Sequence, residues 1–346
     1  MEYVENLVIG AGPAGLRAAQ LLAESGREVL VLEKNEEVGP KTCGGGLSRK
    51  AVRELRQLGL PDGLGLELVA QASFQDEGLV PLDPEHAVIR TISRRKLGAF
   101  QARLARAAGA EIRTGVAAGR FDLEARTVEA GGRRIRYRNL IGADGTRSAV
   151  RRALGIASPR SFFAGEYNIP ALRLEHLSVA YDSEVLGSGY FWIFPHEDYT
   201  CIGAGGHKGL VPPAVVRPYL HRRMETLGVD PGATEYEGAT IEIDFPGFDF
   251  PNGVYLVGDA AGMPSGLTAE GIYAALITGE EVARSIVEPG YPRPKTAAWL
   301  RIKRVHDLVG RVWLRRFPRE VSFALLPRLC RWRWSKRWLS AFFLEG

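Results

Sequence analysis

The chain has 346 residues, 45% hydrophobic and 25% charged, the composition of an ordinary globular protein large enough for two cores. Cys43, Cys201 and Cys330 lie too far apart for a disulfide framework or a CxxC pair, and the six histidines show no HxH or HExxH spacing, so neither a dithiol nor a metal centre is expected. The net charge of +5 is lopsided: residues 301–346 hold 12 Lys/Arg against 3 Asp/Glu, so the rest of the chain is net acidic and no general nucleic-acid-binding surface is expected. Met1 runs almost directly into an apolar segment, leaving no room for a signal peptide, and no run of about 18 apolar residues occurs, so a cytoplasmic protein is expected.

The opening segment organises the rest. Leu7–Ile9 is a short apolar run of the kind buried on both faces of a parallel sheet, and Gly10, Gly12 and Gly15 follow in GxGxxG spacing, with Pro13 and Ala14 inside the motif. The first glycine permits the turn out of the strand, the second lets a pyrophosphate approach the backbone, and the third lets the following helix pack closely. That helix, residues 16–25, aims its unpaired amides at the phosphates. A second strand, residues 29–32, ends at Glu33, 18 residues after Gly15, where a carboxylate can accept ribose hydroxyls; Lys34 adjoins it. Strand, turn, helix, strand and acid in this order predict a site for an ADP moiety.

Next comes KTCGGGLS at 41–48, loop chemistry whose Gly44, Gly45 and Gly46 imply close approach of the backbone to something planar or phosphorylated. Residues 51–58 read as a short amphipathic helix, 66–92 as short strands and turns, and 94–108 as a helix with Leu97, Phe100, Leu104 and Ala108 on one face. Strands are expected at 110–114, 117–122, 127–130 and 133–137, the last two around a Gly131-Gly132 hairpin, and Asn139–Gly145 reads as a further buried strand ending in a glycine turn. From Phe162 to Phe245 alternating strands dominate, broken by one helix at 213–227, as in an inserted antiparallel domain. Residues 254–257 form another buried strand running into GDAAG and a long helix, and beyond Tyr291 the pattern is helical and basic.

Three strand ends thus carry nucleotide-type turns: GAGPAG at 10–15, GADG at 142–145 and GDAAG at 258–262. The set resembles the glutathione-reductase-like FAD family, in its para-hydroxybenzoate-hydroxylase-like branch, over roughly residues 3–290. The resemblance implies FAD as cofactor. It places Gly10, Gly12, Gly15 and Glu33 on the ADP half, Asp144 and Gly145 beside the pyrophosphate, and Gly258 and Asp259 on the ribityl chain. The arginine opening the helix after the first crossover matches Arg94, with Arg95 as the neighbouring alternative. Gly266 and Gly271, in the turn after GDAAG, complete the expected cofactor contacts. The fold class expected is α/β: a Rossmann-like FAD-binding domain (residues 1–70, 93–160 and 250–290), an inserted antiparallel substrate domain (71–92 and 161–249) and a C-terminal helical basic segment (291–346). IGAGGH at 202–207 does not make a second dinucleotide motif, so NAD(P)H or a ferredoxin-type protein is expected to visit only transiently as electron donor.

YFWIFP at 190–195 fits YxWxFP, and KTCGGGLS resembles a flavin-facing cysteine-glycine loop; together they resemble the geranylgeranyl reductase family. The implied activity is saturation of isoprenoid double bonds by hydride from reduced flavin, with a flavin monooxygenase or halogenase as the alternative. Tyr190, Trp192 and Phe194 alternate along a strand and make one aromatic wall suited to an isoprenoid or other lipid chain. Cys43, Gly44 and Gly45 are expected at the flavin, and Cys43, Gly45, Tyr190 and Trp192 in the chemistry, although Cys43 suits packing almost as well. Met263 and Ser265 depart from the family pattern after GDAAG. In the tail, Trp313, Trp332, Trp334 and Trp338 stand among the basic residues: the segment either lies peripherally on a membrane surface or packs on the core with its arginines as a solvated face, and Pro327 is expected to interrupt any long helix there.

Overall fold

The computed structural model describes residues 1–74, 78–170, 172–330 and 332–345. Residues 75–77, within the segment read as short strands and turns, Ala171 in the inserted domain, and Arg331 and Gly346 in the basic tail lie outside the described residues.

The opening βαβ unit forms as its sequence requires. Glu2–Ile9 pairs in parallel with Val29–Leu32 on one side and Arg133–Gly142 on the other, and the helix Pro13–Glu24 crosses over between the first two. Leu7, Val8, Leu30 and Val31 are almost entirely buried, as a parallel strand covered on both faces demands. The sheet runs Asp249–Phe250, Val254–Leu256, Arg133–Gly142, Glu2–Ile9, Val29–Leu32, Glu111–Arg113, with the hairpin strands Ala118–Asp122 and Thr127–Ala130 branching from Arg133–Gly142. The two strands expected at 133–137 and from 139 are one continuous strand, because its first half pairs with the hairpin and its second half with Val254–Leu256.

A seven-stranded sheet, almost wholly antiparallel, is ordered Tyr236–Glu242, Ser161–Pro170, Tyr199–His207, Tyr190–Pro195, Ser178–Tyr181, Gln71–Phe74, Val80–Pro81. IGAGGH lies inside one of its strands and forms no phosphate loop. Val88–Thr91 pairs with Gly46–Leu47 and Leu66–Val69 in a separate three-stranded sheet, which ties the end of the cysteine-glycine loop to the segment 66–91.

The tail folds into helices at Pro294–Trp313, Arg316–Cys330 and Arg333–Ser340. The first has no side-chain cap of its own; Glu281, fully buried in the preceding helix, accepts from the Lys295 and Thr296 amides at 2.9 and 2.7 Å, placing a carboxylate at the helix N-terminus. Pro327 does not interrupt the second helix, which continues to Cys330.

Candidate active site

A cavity of about 880 Å³ opens at the carboxyl ends of the parallel strands, where Ile9, Leu32, Ala143 and Val257 line it, and extends to the face of the antiparallel sheet. That is where an open α/β sheet binds ligands, since the helix N-termini and glycine turns converge there.

The opening turn walls one end. Gly10 has φ +101°, and a Cβ there would lie 2.5 Å from the Ala143 carbonyl, so the turn admits only glycine. A Cβ on Gly12 would meet no protein atom within 4 Å, because it would point into the cavity. Pro13 and Ala14 line the cavity beside it, at the start of the helix. Gly15 does not: its Cβ would sit 2.0 Å from the Gly10 carbonyl, and its role is to let helix and turn touch. Glu33 accepts from the Ala11 amide at 2.8 Å and the Asn35 amide at 3.0 Å, holding its carboxylate over the turn, and Lys34 lines the cavity next to it.

Asp144 and Gly145 line the cavity from the second turn, where Asp144 caps the short helix Ala149–Ala153 through the Ala149 amide and the Ser148 hydroxyl. In the third turn Asp259 lines the cavity and accepts from Lys41 Nζ at 2.7 Å. Burial pushes its carboxyl up, but the Lys41 ammonium and then Arg94 outweigh that and hold it below the usual range. Gly258 stands behind this wall, its amide donating to Thr278 Oγ1 at 3.0 Å. The long helix begins only at Ile272, with Gly271 at its N-cap and in the cavity lining; the turn 263–271 intervenes. Gly266 is a correction: it faces away from the cavity and donates its amide to Asp307 at 3.1 Å, and a Cβ there would collide with that carboxylate.

Arg94, not Arg95, reaches the site. Arg94 is buried, lines the cavity, and its Nε has no partner, whereas Arg95 is exposed and ion-pairs with Glu37 at 2.7 Å. An orphaned buried guanidinium nitrogen on the wall, with a glycine cradle opposite, fits an anionic dinucleotide that would accept from it. The residues present therefore suit FAD, with Gly12 and the helix of residues 13–24 toward the pyrophosphate and Arg94 as an additional donor.

The cysteine-glycine loop divides the cavity. Cys43 is half-buried, and its amide donates to Glu166 Oε1 at 2.7 Å; Thr42 Oγ1 donates to Glu237 at 3.1 Å. His196 Nε2 donates to the Gly44 carbonyl at 3.0 Å, and the Gly45 carbonyl accepts from the Ile92 amide at 3.0 Å. Gly45 has φ +69°, and a Cβ there would press on His196 and the Ile92 carbonyl at 2.7 Å. Burial lowers the His196 pKa, and its buried Nδ1 has no partner. Beyond the loop stand Tyr190, Trp192 and Phe194, all on the cavity, with ring centroids 5.8 and 6.4 Å apart in sequence. Tyr190 donates its hydroxyl to the Thr268 carbonyl at 2.8 Å, and Trp192 Nε1 donates to Cys201 Sγ at 3.4 Å. Val179, Tyr181, Leu267 and Phe343 extend the apolar wall toward the C-terminal segment.

Lys41, Glu166 and His196 escaped the sequence reading. For Glu166 a signal existed, a lone carboxylate in the otherwise uncharged run FFAGEYNIP; for Lys41 and His196 the partners lie 218 and 152 residues away, and nothing local announces them.

Residues 3–207 match the family model described as FAD binding domain. Digeranylgeranylglycerophospholipid reductase 2 of Methanopyrus kandleri is 27% identical over 94% of this chain and 85% of its own length, and menaquinone reductase of Mycobacterium tuberculosis is 30% identical over 82% and 76%. Among solved structures, a geranylgeranyl bacteriochlorophyll reductase-like protein of Thermoplasma acidophilum superposes with TM-score 0.74 at 23% identity, covering 90% of this chain and 88% of its own. p-Nitrophenol 4-monooxygenase of Pseudomonas putida gives the same TM-score at 18% identity, covering 99% and 98%, which shows how widely this fold is shared. The chain belongs to the FAD-dependent oxidoreductases built on this FAD-binding domain.

Proposed function

We propose that the protein saturates carbon–carbon double bonds in an isoprenoid chain carried by a lipid. The observation that supports this reading best is the continuity of the cavity from the dinucleotide end, past the Cys43–Gly46 loop, into a wall made by Tyr190, Trp192, Phe194, Tyr181, Leu267 and Phe343. A long apolar chain laid on that wall sheds water along its length, while the loop presents its reacting carbons to the flavin. Bound reduced FAD supplies the hydride. Gly12 and Arg94 would hold the diphosphate, Glu33 the ribose, and Asp259 with Lys41 the ribityl chain; Trp192 would orient the alkene and exclude water. Electrons would arrive from NAD(P)H or a ferredoxin-type protein in a passing encounter.

The test is to reduce the flavoprotein with dithionite under nitrogen and add a geranylgeranyl-type glycerolipid. The expected result is reoxidised flavin and a product heavier by one H2 per double bond. A lipid recovered unchanged, or a hydroxylated product formed only after air is admitted, would overturn the reading in favour of the monooxygenase alternative. Trp192→Ala should slow this reoxidation while leaving dithionite reduction unchanged.

The tail supplies a surface on which such a substrate can be met. Phe317, Val321, Leu325 and Leu329 form an exposed stripe at four-residue spacing on the helix Arg316–Cys330, whose other face buries Phe323, Leu326 and Cys330. Trp332, Trp334 and Trp338 are 67%, 71% and 61% exposed, whereas Trp313 and Leu339 are buried. One side of the tail packs on the core and the other presents tryptophan and leucine among arginines. Apolar side chains with interspersed cations suit an anionic lipid surface, worth on the order of 1 kcal/mol per basic residue near it. No helix among the described residues is long and apolar enough to cross a membrane, so contact would be peripheral. Sedimentation with anionic vesicles at low salt should pellet the protein, and high salt should release part of it; failure to pellet overturns membrane contact.

A further inference from the structure

Saturating an alkene requires a proton as well as a hydride, and the reaction proposed above leaves its source unassigned. We propose that Glu166 holds that proton and delivers it into the cavity. The assignment rests on the reading of the protein as an alkene reductase and on the following geometry.

Glu166 stands mid-strand in Ser161–Pro170, 2% exposed and on the cavity wall, directly beneath the cysteine-glycine loop. Its cross-strand partner is Glu237 on one side and Gly203 on the other. The two carboxyl groups grip consecutive loop residues, Glu166 the Cys43 amide and Glu237 the Thr42 hydroxyl. Cys201, from the strand Tyr199–His207, receives the Trp192 Nε1–H, and its thiol lies near enough to Glu166 to act on the carboxyl that holds the loop. Arg94, from the helix Arg94–Ala107, acts on it with a positive charge that favours the carboxylate.

The other carboxylates on the cavity each accept from a cation, a hydroxyl or a backbone amide, and burial raises the Asp144 carboxyl as well. Asp259 has Lys41, Glu270 has Lys50 and the Ser48 hydroxyl, Glu33 has two backbone amides, and Asp144 caps a helix. Glu166 instead has a like charge directly opposite on the sheet, an arrangement relieved when one of the two is neutral. Burial and, more weakly, the Glu237 charge push its carboxyl up to about 7 against the opposing pull of the Cys43 amide, the Cys201 thiol and Arg94. A group balanced near neutrality is suited both to lose and to regain a proton.

In the step proposed, the Glu166 O–H bond breaks and a C–H bond forms at one alkene carbon. The hydride from reduced flavin forms the other C–H bond, so the alkene gains two electrons and the flavin loses them. The carboxylate left behind is reprotonated from solvent by way of Glu237, which is exposed on the adjoining strand.

The experiment compares wild type with Glu166→Gln, which keeps an acceptor for the Cys43 amide but has no proton to give. Without substrate, infrared titration of the oxidised flavoprotein from about pH 6 to about pH 8.5 should show a protonated-carboxyl band lost in wild type and missing from the variant. With a geranylgeranyl lipid, single-turnover reoxidation of the reduced flavin should be on the order of 100-fold slower in the variant, at equal FAD content and equal rate of dithionite reduction. A wild type lacking the titrating band, or a variant that reoxidises at the wild-type rate, overturns the assignment alone. A wild type that reduces no isoprenoid overturns the reaction, and the assignment with it.

Discussion

Two glycine-rich loops wall the same cavity and are held in opposite ways. The opening turn is almost self-sufficient: strand, positive-φ glycine and helix follow within a few residues, and Gly15 contacts Gly10 directly. The Thr42–Gly46 loop has no regular structure before residue 46 and takes its shape from Glu166, Glu237, His196 and Ile92, at separations that include 123, 195 and 152 residues for the first three. The turn 263–266 resembles the second loop. Trp299 Nε1 donates to the Met263 carbonyl at 3.1 Å, Lys303 Nζ to the Pro264 carbonyl at 2.8 Å, His306 Nδ1 accepts from Ser265 Oγ at 2.8 Å, and Asp307 receives the Gly266 amide. Spaced by four, three and one residues, these four side chains share one helix face, so the helix Pro294–Trp313 fixes the turn beside the cavity. A locally encoded loop tolerates change elsewhere in the molecule, whereas a loop held from afar transmits it.

The sharpest way to break this contrast is at its local end. Gly12→Val should weaken FAD retention about 100-fold or more while the apoprotein folds normally, since the new side chain meets only the cavity. Fluorescence titration of FAD against thermal melts of the apoprotein checks both halves, and a variant that retains FAD normally would remove this turn from the cofactor site.

At the remote end, His306 offers a pH test. Burial lowers its pKa to about 4, with its hydrogen bond to the Phe342 carbonyl opposing the shift. Because the unfolded chain titrates near 6.5, stability is fully present above about pH 6.5 and is lost as pH falls toward 4, by on the order of 3 kcal/mol at most. Wild type should therefore lose more stability than His306→Gln across that window, and the tail with its turn should loosen first, read as earlier hydrogen exchange. Parallel melting curves for the two proteins would show that the histidine is not coupled to the turn.

The smallest effect is expected at Lys41, whose ammonium bridges the second loop to Asp259. It is 41% exposed, so solvent screening keeps the pair weak, and Lys41→Met should cost about 1 kcal/mol or less. A much larger loss of melting temperature would mean that this bridge, rather than the buried contacts, positions the loop.

The parallel strands, the glycine turns, the acid at Glu33, the aromatic alternation of Tyr190, Trp192 and Phe194 and the antiparallel insert were all legible in the sequence. Each depends on a short-range rule: buried-strand composition, sterics at positive φ, amides at a helix N-terminus, or two-residue alternation. Arg94 could be narrowed to a pair, but only burial separated it from Arg95. Gly266 was misplaced because a glycine looks the same in sequence whether it faces a cofactor or, as here, the Asp307 carboxylate. Sequence by itself determined that a dinucleotide end and an aromatic wall exist. Only the tertiary structure decided which acid lies buried beneath the loop, which lysine answers Asp259, and which side of the tail faces outward. Those depend on pairings across 100 residues or more, or on which face of a helix finds a partner, and no local periodicity carries that information.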